Sequence, residues 1–115
     1  FVGYRVGEDE VFATIERVRR EASMLVDPHT AGGLHAADQA ARAGVVDQAT
    51  PLVTLATAHP AKFPHAVERA GGVRPALPDH LADLYDRPER FERKPADLAE
   101  VQAYIRETTG AMASA

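Results

Sequence analysis

The stretch from Leu52 to Phe63 constrains the fold more than any other, because its character changes at one residue. Residues 52–55 are almost entirely apolar and rich in β-branched side chains, which is typical of a strand buried on both faces. At Thr57 small and polar residues take over, and a helical pattern then runs over residues 61–70. This order predicts a parallel strand that ends in a tight turn and feeds a helix, so the chain is expected to be α/β. Ligands of α/β proteins gather at the carboxyl ends of such strands, and any binding site is therefore expected near Thr57.

Apolar spacing and capping residues predict three further helices. The first begins at the acidic residues 8–10, and its apolar face is formed by Val11, Ile15, Val18 and Ala22. The second begins at Asp27, a good N-cap that is followed by proline, and runs to about Arg42. The last is opened by residues 94–97 (Lys-Pro-Ala-Asp) and ends at Gly110.

The second predicted helix contains two interior glycines, Gly32 and Gly33. Each costs about 1 kcal/mol relative to alanine. Such a cost is tolerated where another group must come close, either a packed element of the protein or a ligand. Packing is the more frequent of these two explanations.

A strand that is apolar on both faces needs a neighbour on each side, and the chain offers few candidates. Only residues 2–6 and the segment near Val45 could supply one. We therefore expect a mostly helical fragment around one or two short parallel strands, which would be part of a larger sheet domain. The first residue, Phe1, is not an initiator methionine, which agrees with that expectation. On this view residues 1–115 form one segment of a longer protein, with residues 111–115 as a frayed tail.

Composition narrows the possible partners. The chain has 115 residues, enough for one domain, and a net charge of −4, which argues against nucleic acid or an anionic membrane surface as the main partner. It has no cysteine, which excludes disulfides and thiolate metal sites, and we expect it to be cytoplasmic. No apolar run approaches the roughly 18 residues that a membrane span requires.

The histidines do not predict a metal site. His29 and His35 are six residues apart, as are His59 and His65, and on a helix that spacing rotates a side chain by about 240°. Neither pair would share a helix face as the zinc-binding i, i+4 pair does. The sequence also lacks a nucleophile elbow, a P-loop and a dinucleotide-binding glycine fingerprint.

The predicted strand end remains the best candidate for a site. Thr57 offers a hydroxyl there, Lys62 lies in the first turn of the following helix, and the backbone N–H groups after Pro60 could attract an anion. The alternative is structural, with Thr57 as a capping residue and Lys62 as a solvated cation. The residues alone do not decide between these two interpretations.

Two motifs carry a family resemblance. Residues 27–31 (Asp-Pro-His-Thr-Ala) and 57–63 (Thr-Ala-His-Pro-Ala-Lys-Phe) resemble the C-terminal part of the threonine synthase family, in the same order. The resemblance extends over nearly the whole chain, and the second motif is the more specific one. Gly32 departs from the family pattern, in which a larger aliphatic residue is expected at this position.

The resemblance implies a fold-type-II enzyme that uses pyridoxal phosphate to convert O-phosphohomoserine and water into threonine and phosphate. Such an enzyme is a carbon–oxygen lyase acting on phosphate. The resemblance further implies that the Thr57 hydroxyl meets the pyridine nitrogen of the cofactor, with His59 and Lys62 shaping the adjacent turn. The Schiff-base lysine of the family lies upstream of the part seen here, so Lys62 is not that lysine and no catalytic residue is expected within this chain.

Two other interpretations stay open. The chain could be a non-catalytic C-terminal module that serves assembly or acts as a scaffold, or it could be a small phosphate-binding α/β domain. If it is a segment of a longer enzyme, its partner is the rest of the parent chain, and the isolated chain is expected to self-associate through the strand at residues 52–56. Asp27 is expected to cap its helix, so Asp27→Asn would have a mild effect because both residues cap well.

Overall fold

A computed structural model describes residues 1–47 and 49–110. Four α-helices account for most of the regular structure within those ranges, and they are α1 (Glu8–Ala22), α2 (Pro28–Arg42), α3 (Pro64–Gly71) and α4 (Leu98–Thr109). Three short 3₁₀ turns occupy Pro60–Lys62, Asp79–Leu81 and Leu84–Asp86. The chain divides into two compact units, Phe1–Ala82 and Asp83–Ala115. The predicted frayed tail, residues 111–115, lies outside the described residues.

Helix α1 is the centre of the first unit, because it packs on both α2 and α3. Ile15 of α1 is fully buried and forms a small core with Val26 and Ala31. Around this core pack the partly buried residues Val11, Phe12, Val18, Leu34 and Ala70. Three of the four residues predicted for the apolar face, Val11, Ile15 and Val18, therefore contact the rest of the unit, whereas Ala22 is exposed.

Polar contacts also join α1 to its neighbours, and two of them come from arginine side chains. Arg17 donates to the carboxylate of Asp38 in α2, with 2.7 Å between Nη2 and Oδ2. Arg19 donates from its guanidinium to the carbonyl oxygen of Gly71, the last residue of α3. The second contact satisfies a carbonyl that has no partner inside its own helix and places a cation where the helix dipole favours one.

The ends of α2 agree with the sequence prediction. Asp27 is the N-cap, with Pro28 in the first turn, and the helix ends at Arg42. Gly44 follows with a φ of 68°, a left-handed conformation that glycine adopts without the steric cost of a Cβ. The helix therefore begins and ends where its local sequence directs.

The predicted helix over residues 61–70 is interrupted, which corrects the sequence interpretation. A 3₁₀ turn covers Pro60–Lys62, and α3 begins only at Pro64. Phe63 between them has a φ of −126° and a ψ of 54°, outside the helical region. The cause is Pro64, because its ring disfavours helical backbone in the preceding residue while proline itself suits the first helical position.

The predicted strands are not found among the described residues. Residues 51–57 carry neither helix nor strand, and the same is true of residues 2–6. Within the first stretch, the apolar side chains Leu52, Val53 and Leu55 are 49%, 82% and 74% exposed. A parallel strand exists only when a neighbouring strand satisfies its backbone groups, and the described residues supply no such neighbour.

In the second unit, α4 has the predicted ends. The carboxylate of Asp97 accepts the backbone N–H of Glu100 at 3.0 Å, and Gly110 adopts a φ of 69° after the last turn. The side chains of Leu98 and Ile105 are 73% and 52% exposed. Across the described residues, no helix combines the length and the apolar character that a membrane crossing requires.

Candidate functional site

The two sequence motifs meet in the folded chain. The ring of His29, in the first turn of α2, contacts the ring of Phe63 edge-on, with 4.8 Å between centroids and 66° between planes. Edge-to-face contacts of this kind are favourable because the positive edge of one ring faces the negative face of the other. The second motif is therefore held against the start of the second helix.

The buried carboxylate of Asp27 accepts several hydrogen bonds at the start of α2. Its side chain is fully buried, and one carboxylate oxygen accepts the backbone N–H of His29 at 2.9 Å and its ring Nδ1 at 3.2 Å. The other oxygen accepts the hydroxyl of Thr30 and its backbone N–H, the latter at 3.3 Å. Four donors thus converge on a single carboxylate.

These donors determine the charge state of Asp27. Burial by itself raises the pKa of this carboxyl group, but the hydrogen bonds from Thr30 and His29 act in the opposite direction and outweigh it. The pKa of Asp27 is therefore lowered from its usual value of 3.8. An ionised carboxylate can only accept hydrogen bonds, so the His29 ring donates to it from Nδ1.

His59 has a structural role in the second motif. Its Nδ1 accepts the backbone N–H of Ala61 at 3.1 Å and caps the 3₁₀ turn at Pro60–Lys62. Lys62 lies in this turn with its Nζ 5.8 Å from the centroid of the Phe63 ring, near the outer limit for a cation–π contact. His59 therefore caps the turn, and Lys62 lies within it.

Thr57, the predicted cofactor contact, precedes this turn in a segment without regular secondary structure. Its side chain is exposed. The structure thus leaves Thr57 exposed at the start of the second motif. Within residues 1–47 and 49–110, no group of three or more histidine or acidic side chains is arranged to hold a metal ion.

Helix α2 also comes close to the segment before Thr57. A Cβ atom placed on Gly33 would lie 2.9 Å from the Cγ2 atom of Thr54, closer than real Cβ contacts allow. A Cβ on Gly32 would meet nothing within 4 Å. Of the two explanations for the interior glycines, close packing therefore applies to Gly33, and Gly32 has no steric reason to be glycine within the described residues.

Comparison with known proteins identifies the family. Residues 30–105 match the family model described as threonine synthase, C-terminal. The chain belongs to this family. That match begins inside the first motif and includes all of the second, so the resemblance seen in the sequence is confirmed.

Individual threonine synthases are also similar to this chain in sequence and structure. The threonine synthase of Pseudomonas aeruginosa is 49% identical over 106 residues, which are 91% of this chain and 22% of that protein. The threonine synthase of Methylobacillus glycogenes is 38% identical over 92 residues, covering 80% of this chain and 18% of that protein. The crystal structure of threonine synthase from Brucella melitensis, described as bound to pyridoxal phosphate (PLP), aligns with a TM-score of 0.71 and 44% identity over 87% of this chain and 20% of that one.

The chain therefore spans about a fifth of the length of the threonine synthases that it matches. Sequence reasoning singled out Thr57, His59 and Lys62, whose roles in the site stay predictions, but it missed the contact between His29 and Phe63. One signal was available for it. His29 belongs to the first family motif and Phe63 to the second, and the two motifs occur together in the family.

Proposed function

We propose that this chain is the C-terminal part of a pyridoxal-phosphate-dependent threonine synthase that converts O-phosphohomoserine and water into threonine and phosphate. The observation that carries the proposal is the 44% identity with a structure described as PLP-bound threonine synthase, together with the contact of the two family motifs at His29 and Phe63. The enzyme is expected to act in the cytoplasm, with the rest of the parent chain as the partner of this segment.

We assign Thr57 the contact with the pyridine nitrogen of the cofactor. The chemistry of the residue fits, because its neutral hydroxyl is exposed and can form a hydrogen bond with a ring nitrogen. Pyridoxal phosphate, when bound, supplies an electron sink for carbanion chemistry. A hydroxyl partner does not hold a proton on the ring nitrogen as a carboxylate would, so Thr57 moderates the strength of that sink.

We also propose that residues 52–56 pair as a parallel strand within the complete enzyme. Three exposed apolar side chains in this stretch, Leu52, Val53 and Leu55, support the proposal because such a surface is normally covered. The neighbouring strands would come from the rest of the parent chain. In that arrangement Thr57 follows the carboxyl end of a strand, where α/β proteins bind their ligands.

The test uses the full-length enzyme that contains this chain, purified with pyridoxal phosphate and assayed for threonine and phosphate release from O-phosphohomoserine. We expect turnover by the unmodified enzyme. Thr57→Asp should change the cofactor absorbance and lower kcat at least about tenfold, which corresponds to about 1.4 kcal/mol of lost transition-state stabilisation. Thr50→Asp is the matched control, because it places the same charge on another exposed threonine.

Two results would contradict the proposal. Absence of turnover with a fully loaded cofactor would favour the alternative of a non-catalytic assembly module. Unchanged spectra and rates in Thr57→Asp would remove Thr57 from the site. The isolated chain provides a further check, since we expect no cofactor absorbance band that survives dialysis when it is mixed with pyridoxal phosphate.

A further inference from the structure

Helix α2 contacts the segment that carries Thr57 at two points. His29 contacts Phe63 at one end of that segment, and Gly33 approaches Thr54 at the other. His29 and Gly33 are four residues apart in the helix, so both contacts lie on the same face of α2.

The ring of His29 is held in position by a hydrogen bond to Asp27. Asp27 is fully buried, and its carboxylate accepts the ring Nδ1 of His29 at 3.2 Å, which sets the orientation of the ring. Phe63 is in turn held by the backbone, because its N–H donates to the carbonyl of Pro60 at 3.0 Å and its own carbonyl accepts the N–H of Val67 at 3.0 Å. This end of the segment is therefore tied to both α2 and α3.

The contact at Gly33 depends on the absence of a side chain. The backbone of α2 lies so close to Thr54 that an added Cβ would stand 2.9 Å from its methyl group. Thr54 is partly buried, whereas Leu55 and Thr57 after it are exposed. The approach to α2 is thus local to Thr54 and does not extend along the whole segment.

Between these contacts, residues 57–59 follow the proposed strand and have no helix or strand of their own to set their position. A segment without its own ladder of hydrogen bonds is positioned by the points at which it is attached. Thr57 lies only three residues after Thr54, so a displacement at that attachment is passed to it over a short length of chain.

We propose that Gly33 and His29 are positioning residues for Thr57. Together they hold the two ends of its segment on one face of α2 and thereby set the distance between the Thr57 hydroxyl and the cofactor ring nitrogen. The inference rests on the proposed function, because it assigns a purpose to the placement of Thr57. Neither residue touches the cofactor in this role.

The experiment compares glycine variants of the full-length holoenzyme. Gly33→Ala introduces the Cβ that meets Thr54, while Gly32→Ala introduces the same group into open space. Both changes raise helix propensity equally. We expect Gly32→Ala to keep the cofactor spectrum and kcat of the unmodified enzyme. Gly33→Ala should shift the spectrum and lower kcat about tenfold or more, since a misplacement of about 1 Å can cost about 100-fold.

Rescue distinguishes positioning from a general loss of structure. Thr54→Ser removes the methyl group that the new Cβ would meet, so the double variant Gly33→Ala/Thr54→Ser should recover most of the lost kcat and the original spectrum. Thr54→Ser alone should lower kcat by no more than about twofold. If Gly33→Ala does not fold, His29→Gln serves as the second variant, because it removes the ring contact with Phe63 and should produce the same spectral shift.

The inference is overturned if Gly33→Ala matches Gly32→Ala in spectrum and kcat, or if Thr54→Ser fails to rescue it. Thr57→Asp is measured in the same series. A changed Thr57→Asp enzyme beside an unchanged Gly33→Ala enzyme contradicts the positioning role alone. An unchanged Thr57→Asp enzyme contradicts the assignment of Thr57 to the cofactor, and the positioning role with it.

Discussion

The carboxylate of Asp27 accepts the ring Nδ1 of His29 at 3.2 Å, although the Asp27 side chain is fully buried and that of His29 is 61% exposed. A single residue therefore links the interior start of α2 to a ring on the surface. The same carboxylate caps the helix, so helix stability and ring orientation depend on one group.

Replacing Asp27 with asparagine is expected to destabilise the protein by about 1–3 kcal/mol. Both carboxylate oxygens accept hydrogen bonds, and the amide NH₂ of asparagine would turn one of them into a donor that faces another donor. The hydrogen bonds of Asp27 thus predict a larger loss of stability than the mild effect expected from the sequence. The free energy of unfolding from urea titration checks this, with Asp97→Asn as control, because that exposed cap accepts from the N–H of Glu100. Equal effects at the two caps would contradict it.

The contribution of Asp27 to stability should depend on pH. Its hydrogen bonds, which outweigh the effect of burial, lower its pKa from the usual 3.8 in the folded chain. In the unfolded chain the carboxyl group returns to its usual pKa and takes up a proton more readily. The stabilisation is therefore complete above the usual pKa and is lost as pH falls through the lower folded pKa.

This pH dependence is measured as the difference in Tm between the unmodified enzyme and Asp27→Ser, a variant with a neutral capping side chain. The difference should be largest near neutral pH and should narrow as pH falls to about 3. A difference that stays constant over this interval would mean that the charge of Asp27 does not stabilise the folded state.

Ile15 is expected to be the most sensitive position of the small core. It is fully buried in α1 and packs with Val26 and Ala31. Ile15→Ala should destabilise the protein by about 2–5 kcal/mol, and Ile15→Val by about 0.5–1.5 kcal/mol, because the cost follows the number of buried methyl and methylene groups removed. Thermal unfolding followed by circular dichroism measures both, and equal losses for the two variants would contradict this packing role.

The isolated chain is expected to self-associate through residues 52–56. Leu52, Val53 and Leu55 expose apolar surface there, and an unpaired extended backbone can pair with a second copy. Val53→Lys should shift sedimentation towards the monomer, since a charge on such a stretch opposes pairing. Val45→Lys is the control, because Val45 is 51% exposed but lies outside this stretch. An unmodified chain that sediments as a monomer at all concentrations would contradict the prediction.

The sequence predicted those features that depend on neighbouring residues. Asp27 with Pro28 predicted the start of α2, and residues 94–97 and Gly110 predicted where α4 begins and ends. Each of these signals acts within one helical turn, so no tertiary information was needed. The break at Phe63 is also local, because Pro64 disfavours helical backbone in the residue before it.

Features that depend on distant partners were not predictable in the same way. The apolar pattern of residues 52–55 indicates burial, but pairing as a strand requires neighbours that the described residues do not supply. The contact of His29 with Phe63 and the approach of Gly33 to Thr54 join positions far apart in the sequence. Periodicity within a helix can indicate which face is used, but it cannot identify the residue that meets that face.

Because α1 packs on both α2 and α3, removing the N-terminal residues of the chain would remove contacts of both helices. The region that matches the family model begins at residue 30, after the whole of α1 and after Asp27. A protein cut at that boundary would lose Ile15, the cap of α2, and the Arg19 guanidinium that completes the end of α3. The eight-residue α3 is too short to be stable in water without tertiary contacts. We therefore expect a segment that begins at residue 30 to fold less stably than one that keeps residues 1–29.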